Sequence, residues 1–275
     1  MRDLDLIIGD KPISEILPGV SLLSFVPESP VYERQTVTLK NRNGLLSPSK
    51  NSPGRYKERK IAAEFAVEAH NPEQFYLYRS NLYALLVTQD PYHVIHSYEP
   101  NKRWLVTTDD VFSISQDNGK LANTFSVTFT AIQGLAESVY DSTIPVNLQG
   151  ERFNLGMNIG KFSEQPFQFK NKNRFTVYNF GDATLSPIEH DYKVQMYFEG
   201  KDIKITNQTT GDSITLSGSH SKKNLLTVVK QYIVTGSNVI STRGRFPELA
   251  PGENKFSIEN ADYSDLHFIT RFYYK

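Results

Sequence analysis

The stretch KIAAEFAVEAHNPEQFYLYRSNLYALL, residues 60–86, contains one change of rhythm, and the fold class turns on it. From Lys60 to His70 the apolar residues Ile61, Ala63, Phe65, Val67 and Ala69 alternate with Glu64, Glu68 and His70. A period of two places the apolar set on one face of a half-buried β-strand. At Asn71 the rhythm becomes helical. Asn71 is an N-cap, Pro72 occupies the first helical position, and Gln74 stands where a capping box takes Glu or Gln. Phe75, Tyr78, Leu82, Leu85 and Leu86 recur at helical spacing, and Asp90-Pro91 closes the element. The pattern predicts a helix of about four turns packed on a sheet, the one substantial helix of the chain.

Outward from this stretch nearly everything reads as strand. Leu121–Ile132 repeats the alternation, with Leu121, Phe125, Val127 and Phe129 inward against Thr124, Ser126, Thr128 and Thr130. Shorter strands are predicted at Thr36–Lys40, Tyr92–Ser97, Arg103–Thr107 and Val111–Ser115. After Phe129 the period is lost in a Gly- and Asn-rich stretch, so a boundary is expected between 135 and 150, giving domains 1–140 and 141–275. Beyond it come short strand patterns: RFTVYNFG, YKVQMYFEG, KDIKITNQTTGDSITLSG, NLLTVVKQYIVTG, NKFSIEN and LHFITRFYYK. In the third, Ile203 and Ile205 face Ile214 and Leu216 across the turn TTGD, a hairpin signal. The fold class is mainly β, with a sandwich or jelly roll in the second half.

Composition excludes several functions. With 275 residues, 39% of them hydrophobic, the chain can bury one large core or two modest ones. Its 30 basic and 30 acidic residues cancel, so no global field draws it to nucleic acid or an anionic membrane. The absence of cysteine removes disulfides, thiolate metal sites and Cys nucleophiles. MRDLDLIIGDKPISEIL carries acids where a signal peptide is basic, and no run of about 18 apolar residues occurs, so neither secretion by signal peptide nor a membrane span is expected.

Candidate catalytic and metal residues are weak. His93 and His96, three apart on a strand, fall on opposite faces with no third ligand nearby. Asp109-Asp110 reads as a turn. Asn207-Gln208-Thr209 matches a glycosylation sequon without a secretory context, and Trp104 fits a core better than a sugar platform. No nucleophile elbow, P-loop, HExxH or dinucleotide fingerprint stands in its proper context. No enzyme activity, catalytic residue, metal or cofactor is expected.

The strongest anomaly is GLLSPSKNSPGRYKERKIAAEF, residues 44–65. Between Lys40 and Lys60 lie seven basic residues (Lys40, Arg42, Lys50, Arg55, Lys57, Arg59, Lys60) against one acid, Glu58. A nucleic-acid loop needs interleaved aromatics, and Tyr56 is the only one. Strands on both sides make this a long hairpin excursion, and loops of this length are either functional or simply solvated and flexible. An arm docking on an acidic patch of an identical neighbour fits it best, a head-to-tail arrangement that can close a ring. The first 39 residues, with six acids against three bases, are a candidate receiving surface.

In order along the chain, VTLKNRNG, GRYKERKIAAEFAV, FYLYRSNLYALL, RWLV and NTFSVTFTA, then NLGMNIG, ITNQTTGDSITLSG and PELAPGENKFSI, resemble the distal tail proteins of long-tailed phages of Gram-positive hosts. That resemblance implies an N-terminal β-sandwich with one helix and a protruding belt hairpin, followed by a C-terminal galectin-like β-sandwich. It implies a structural hub, a hexameric ring at the virion tail tip. The ring would be assembled in the host cytoplasm and would join the tail tube protein to a tail-associated fibre or lysin protein. On the belt by position fall Arg42, Asn43, Gly44, Leu45, Leu46, Arg55, Tyr56 and Arg59. The rival reading is a saccharide-binding module for host recognition, for which Tyr178, Tyr192, Tyr197 and Tyr232 are the available aromatic platforms.

Overall fold

The computed structural model describes residues 4–34, 36–46, 54–116, 121–148, 152–159 and 165–275. The chain divides into two compact units, one running to Ala136 with Lys275, the other Glu137–Tyr274. In the first unit lie β1 (Leu6–Ile8), β2 (Lys11–Pro12), the one-turn α1 (Ile13–Ile16), β3 (Val20–Pro27), β4 (Tyr32–Glu33), β5 (Arg55–Tyr56), β6 (Arg59–Glu68), α2 (Pro72–Leu86), β7 (Tyr92–His96), β8 (Lys102–Thr107) and β9 (Ala122–Ala131). Its main sheet has the order β2-β1-β7-β8-β9-β6-β3, and β4 and β5 form a separate ribbon.

β6 shows why alternation specifies this sheet. Ile61, Ala63, Phe65 and Val67 are all essentially inaccessible, and β6 pairs in unbroken register with β9, Phe65 opposite Phe125. The sheet rolls on itself. His96 on β7 and Phe25 on β3 are four strands apart in the order, about 19 Å in a flat sheet, yet their rings stack at 5.4 Å. One sheet thus supplies both layers of the first unit. Helix α2 starts as its sequence dictates: the Asn71 side chain accepts from Gln74 N–H at 2.8 Å, and Gln74 Oε1 accepts from His70 N–H at 2.7 Å. Phe75, Tyr78, Leu82 and Leu86 face inward.

Two predicted strands are absent. Thr36–Lys40 makes only the isolated bridge Val37–Leu46, and Val111–Ser115 is irregular. In the latter, Val111 is fully exposed while Phe112 packs its ring on Tyr83 and Phe125. The alternation there is met by side-chain packing alone, with no ladder partner.

The second unit holds β10 (Ala136–Ser138), β11 (Gln168–Lys170), β12 (Arg174–Asn179), β13 (Tyr192–Asn207), β14 (Ser213–His220), β15 (Leu225–Val229), β16 (Tyr232–Thr235), β17 (Asn238–Val239), β18 (Thr242–Gly244), β19 (Gly252–Thr270) and β20 (Tyr273–Tyr274), with a 3-10 turn at Leu155–Met157. The expected hairpin is present, Ile203 opposite Leu216 and Ile205 opposite Ile214. Its sheet runs β11-β19-β13-β15-β16-β17, with β12 on β19 and β14 on β13. The spine β13–β19 is creased. Phe256 and Phe268 lie twelve residues apart on β19, about 40 Å if the strand were straight, and their rings are 5.4 Å apart. The fold line is a bulge where Gly200 (φ +148), Asp202 (φ +49) and Asn260 (φ +63) leave the ordinary strand conformation. A Cβ on Gly200 would come within 2.3 Å of Asn260 O, so only glycine fits. Bending two long strands at one line makes a two-layer sandwich whose core is phenylalanine: neighbouring rings among Phe169, Phe175, Phe256 and Phe268 lie 4.2 to 6.1 Å apart.

Candidate interaction ribbon

The excursion between β3 and β6 is a two-stranded ribbon. Lys57 N–H donates to Val31 O at 3.0 Å, Tyr56 lies opposite Tyr32, Arg55 opposite Glu33, and Leu46 bridges Val37 further out. Tyr32 and Tyr56 meet edge to face at 4.9 Å. Glycine sets the root: a Cβ on Gly54 would lie 2.1 Å from Glu33 O, and one on Gly134 2.0 Å from Lys57 O. Every described residue from Arg34 to Leu45 is exposed. Among them Val37, Leu39 and Leu45 are large and apolar, Leu45 at 65% exposure, and Val31 adds to the same ribbon. The ribbon thus carries four exposed aliphatic side chains, Val31, Val37, Leu39 and Leu45.

The charges are arranged differently from the sequence reading. Arg55 and Lys57 both pair with Glu33 across the ribbon, at 3.2 Å each, and Lys60 pairs with Asp110 at 3.1 Å. The Lys57 and Arg55 cations hold the Glu33 carboxyl below the usual carboxylate range. Arg59 is 9% exposed, donates Nε–H to Glu28 O, and lies 4.9 Å from the Trp104 ring. Four of the seven basic residues thus meet partners in their own chain, because register sets Glu33 opposite Arg55 and the pleat turns Arg59 inward. Lys40 and Arg42 remain as exposed cations on the ribbon, with Arg42 N–H donating to Leu39 O at 3.3 Å. Asn43 is exposed, Gly44 takes φ +80 in open space, and Leu46 and Tyr56 are half-buried. Lys50 lies outside the described residues. Of these exposed aliphatic residues Leu45 was read from the sequence; Val37 and Leu39 were not, and the alternation in VTLK was their only signal.

The remaining candidates have structural places. His96 is sandwiched between Phe25 and Tyr98, and burial lowers its pKa. Trp104 is 4% exposed. Asn207 of the sequon is fully buried, its amide donating to Glu248 O at 2.7 Å and to Asn254 Oδ1 at 3.0 Å. Of the four tyrosines, Tyr192 is 3% exposed, with its hydroxyl on Pro247 O; Tyr178 packs on Phe180, and Tyr197 and Tyr232 are exposed. Among the described residues no group of three His, Asp or Glu could hold a metal ion, and no helix is long and apolar enough to cross a membrane.

The first unit is thus a rolled sheet with one helix and a projecting ribbon, and the second a creased β-sandwich. Residues 17–131 match the family described as phage tail protein RIFT-related domain. Across its whole length the chain has the fold of a Dit protein: it superposes on that of phage SPP1, described as a paradigm of the hub adsorption apparatus in Gram-positive-infecting phages, with TM-score 0.63 at 10% identity, covering 98% of this chain and 100% of that one. The resemblance to distal tail proteins is borne out. The phage P2 baseplate in its activated conformation with Ca is also similar, at TM-score 0.44 and 9% identity over 98% of each chain. No curated protein matches the sequence.

Proposed function

We propose that this chain is a non-enzymatic tail-tip hub of a virion, six copies of which close a ring between the tail tube protein and a tail-associated fibre or lysin protein. The observation that carries the reading is the ribbon, whose described residues between Arg34 and Leu45 are all exposed and include Val37, Leu39 and Leu45. An isolated two-stranded hairpin has marginal stability in water, so a long exposed one gains order from a partner surface. A ribbon that leaves one subunit and lies on the next is a head-to-tail contact, and six such contacts close when the rotation per subunit is a sixth of a turn. Arg42, Asn43, Gly44, Leu45 and Leu46 form the outer grip, and Arg55, Tyr56 and Arg59 fix its root. Domain 1–140 makes the ring and domain 141–275 is carried by it. Single exposed ion pairs contribute only about 0–1 kcal/mol, so apolar contact supplies most of the grip. Replacing residues 45–56 by a short Gly-Ser turn is expected to leave both units folded and yield monomers by light scattering coupled to gel filtration. An unchanged oligomer in the shortened protein would overturn the reading.

A further inference from the structure

The outer part of the ribbon is a loop fastened at one rung. Val37 N–H donates to Leu46 O at 3.4 Å, Leu46 N–H donates to Val37 O at 3.0 Å, and residues 38–45 run between them. Arg42 N–H donates to Leu39 O at 3.3 Å, and beyond that turn the chain reads Asn43-Gly44. Both residues are exposed. Gly44 takes φ +80, and a Cβ on it would meet nothing within 4 Å. Among the described residues no hydrogen bond holds the Asn43 side-chain amide or the Gly44 N–H.

The amide carbon of an asparagine side chain is an electrophile within reach of the next residue's backbone nitrogen. Closing that bond makes a five-membered imide ring. The closure needs a next residue whose backbone can bend towards the side chain and whose own side chain does not crowd the nitrogen, and glycine meets both needs. It also needs both groups unbonded, since a hydrogen bond on either would first have to break. Elsewhere in the fold asparagines are held: Asn179, Asn207 and Asn254 are buried, and Asn260 donates to Asp202 O at 3.1 Å. Asn41 shares the loop and its exposure, but Arg42 follows it.

We propose that Asn43 is a site of spontaneous covalent modification, deamidating through a succinimide to aspartate and isoaspartate. The Gly44 nitrogen gives up its proton and forms a bond to Asn43 Cγ. The bond from Cγ to the side-chain nitrogen breaks, and ammonia leaves carrying that proton. Water then opens the imide on one side or the other. Cleavage of the new bond leaves aspartate; cleavage of the original peptide bond routes the main chain through Cβ and Cγ, as isoaspartate. Water is the only co-reactant. Either product places a carboxylate beside Arg42, and isoaspartate lengthens a loop that a single rung fastens. The chemistry stands apart from the hub reading. Its consequence rests on that reading: subunits waiting outside a ring acquire an altered grip, and subunits within one are shielded.

The test is peptide-resolved mass spectrometry of the full chain held for days in mildly alkaline and mildly acidic buffer, with isoaspartate scored by an isoaspartyl methyltransferase. The chain's other Asn-Gly pair, Asn118-Gly119, lies outside the described residues and is read in a separate peptide. A synthetic peptide of residues 40–46 sets the unrestrained rate, and Asn41 and the variant Gly44→Ala are the controls. A companion chain with Val37, Leu39 and Leu45 replaced by Ser keeps an assembled ring from masking the reaction. In the companion chain, position 43 is expected to convert within about tenfold of the peptide rate and about tenfold slower once Gly44→Ala is added. Conversion should quicken in the alkaline buffer, where the nitrogen loses its proton more readily, while Asn41 stays intact. A companion chain that converts at position 43 more than about tenfold slower than the peptide, no faster than at Asn41, or indifferently to Gly44→Ala would overturn the proposal. Protection in an oligomeric parent, with conversion in the companion, supports both the site and the ring; equal conversion in a monomeric parent supports the site and counts against the ring.

Discussion

A methyl group on Gly134 would sit 2.0 Å from Lys57 O, and its φ of +69 already disfavours any side chain. Gly134→Ala is therefore expected to destabilise the first unit by about 1–3 kcal/mol, read as a lowered urea midpoint with an unchanged slope. Histidine gives a second residue-scale test. Burial depresses the pKa of His190, against the opposing pull of Glu189 and Glu137. Its Nδ1 also accepts Ser186 N–H at 3.1 Å, which needs the neutral ring. A base whose folded pKa lies below its unfolded value, about 6.5, contributes no penalty above that pH and costs stability as pH falls through it. The melting temperature is expected to drop between pH 7.5 and 5.5, and less steeply in His190→Phe; His96 titrates in the same direction and keeps part of the slope. Sequence spacing revealed Asn71 and Gln74 because a cap is local. It did not reveal that Arg59 is buried against Trp104, 45 residues away in sequence.

At the scale of elements, α2 depends on its cap. Asn71→Ala is expected to cost about 1 kcal/mol, measured by chemical denaturation, with helix content by circular dichroism little changed. The ribbon behaves oppositely. Replacing Val37, Leu39 and Leu45 together by Ser removes only exposed side chains, so the monomer's stability should stay within about 0.5 kcal/mol per site. Under the proposed function the same triple change opens the ring. Light scattering and a melting curve on one sample separate the two effects. Strands with ladder partners on both sides were legible, as β6 and β9 show. Thr36–Lys40 and Val111–Ser115 carry the same alternation without a ladder, and pattern alone does not say whether a partner strand exists.

Across the whole molecule, what sequence concealed is the continuity of β13 and β19. Their patterns break at EGKD and at ENADYSD, so each reads as two short strands. In the structure each is one strand, because a bulge bends the strand and shifts its register without ending it. The second unit is closed by its own first and last strands. Ser138 N–H donates to Phe272 O at 2.8 Å, Phe272 N–H returns to Ser138 Oγ at 3.0 Å, and Phe272, Tyr273 and Tyr274 are at most 2% exposed. Phe272→Ala is expected to cost about 3–5 kcal/mol in the second unit, seen as faster cleavage within residues 137–274 in limited proteolysis.

That closure has a mechanical side. Tension reaching the second unit along the chain arrives first on β10, where Ser138 is already bonded to Phe272. Arg271 takes up the next share: its guanidinium donates to Ser138 O at 2.9 Å and to the Asp191 carboxylate at 3.2 Å, next to the start of β13. Ser142 then bonds Thr270 O at 2.9 Å and Phe268 O at 2.8 Å, on β19. A pull on one end is therefore spread within six residues onto both spine strands, so the unit resists extension as a buckled strap does, by gripping its own tail.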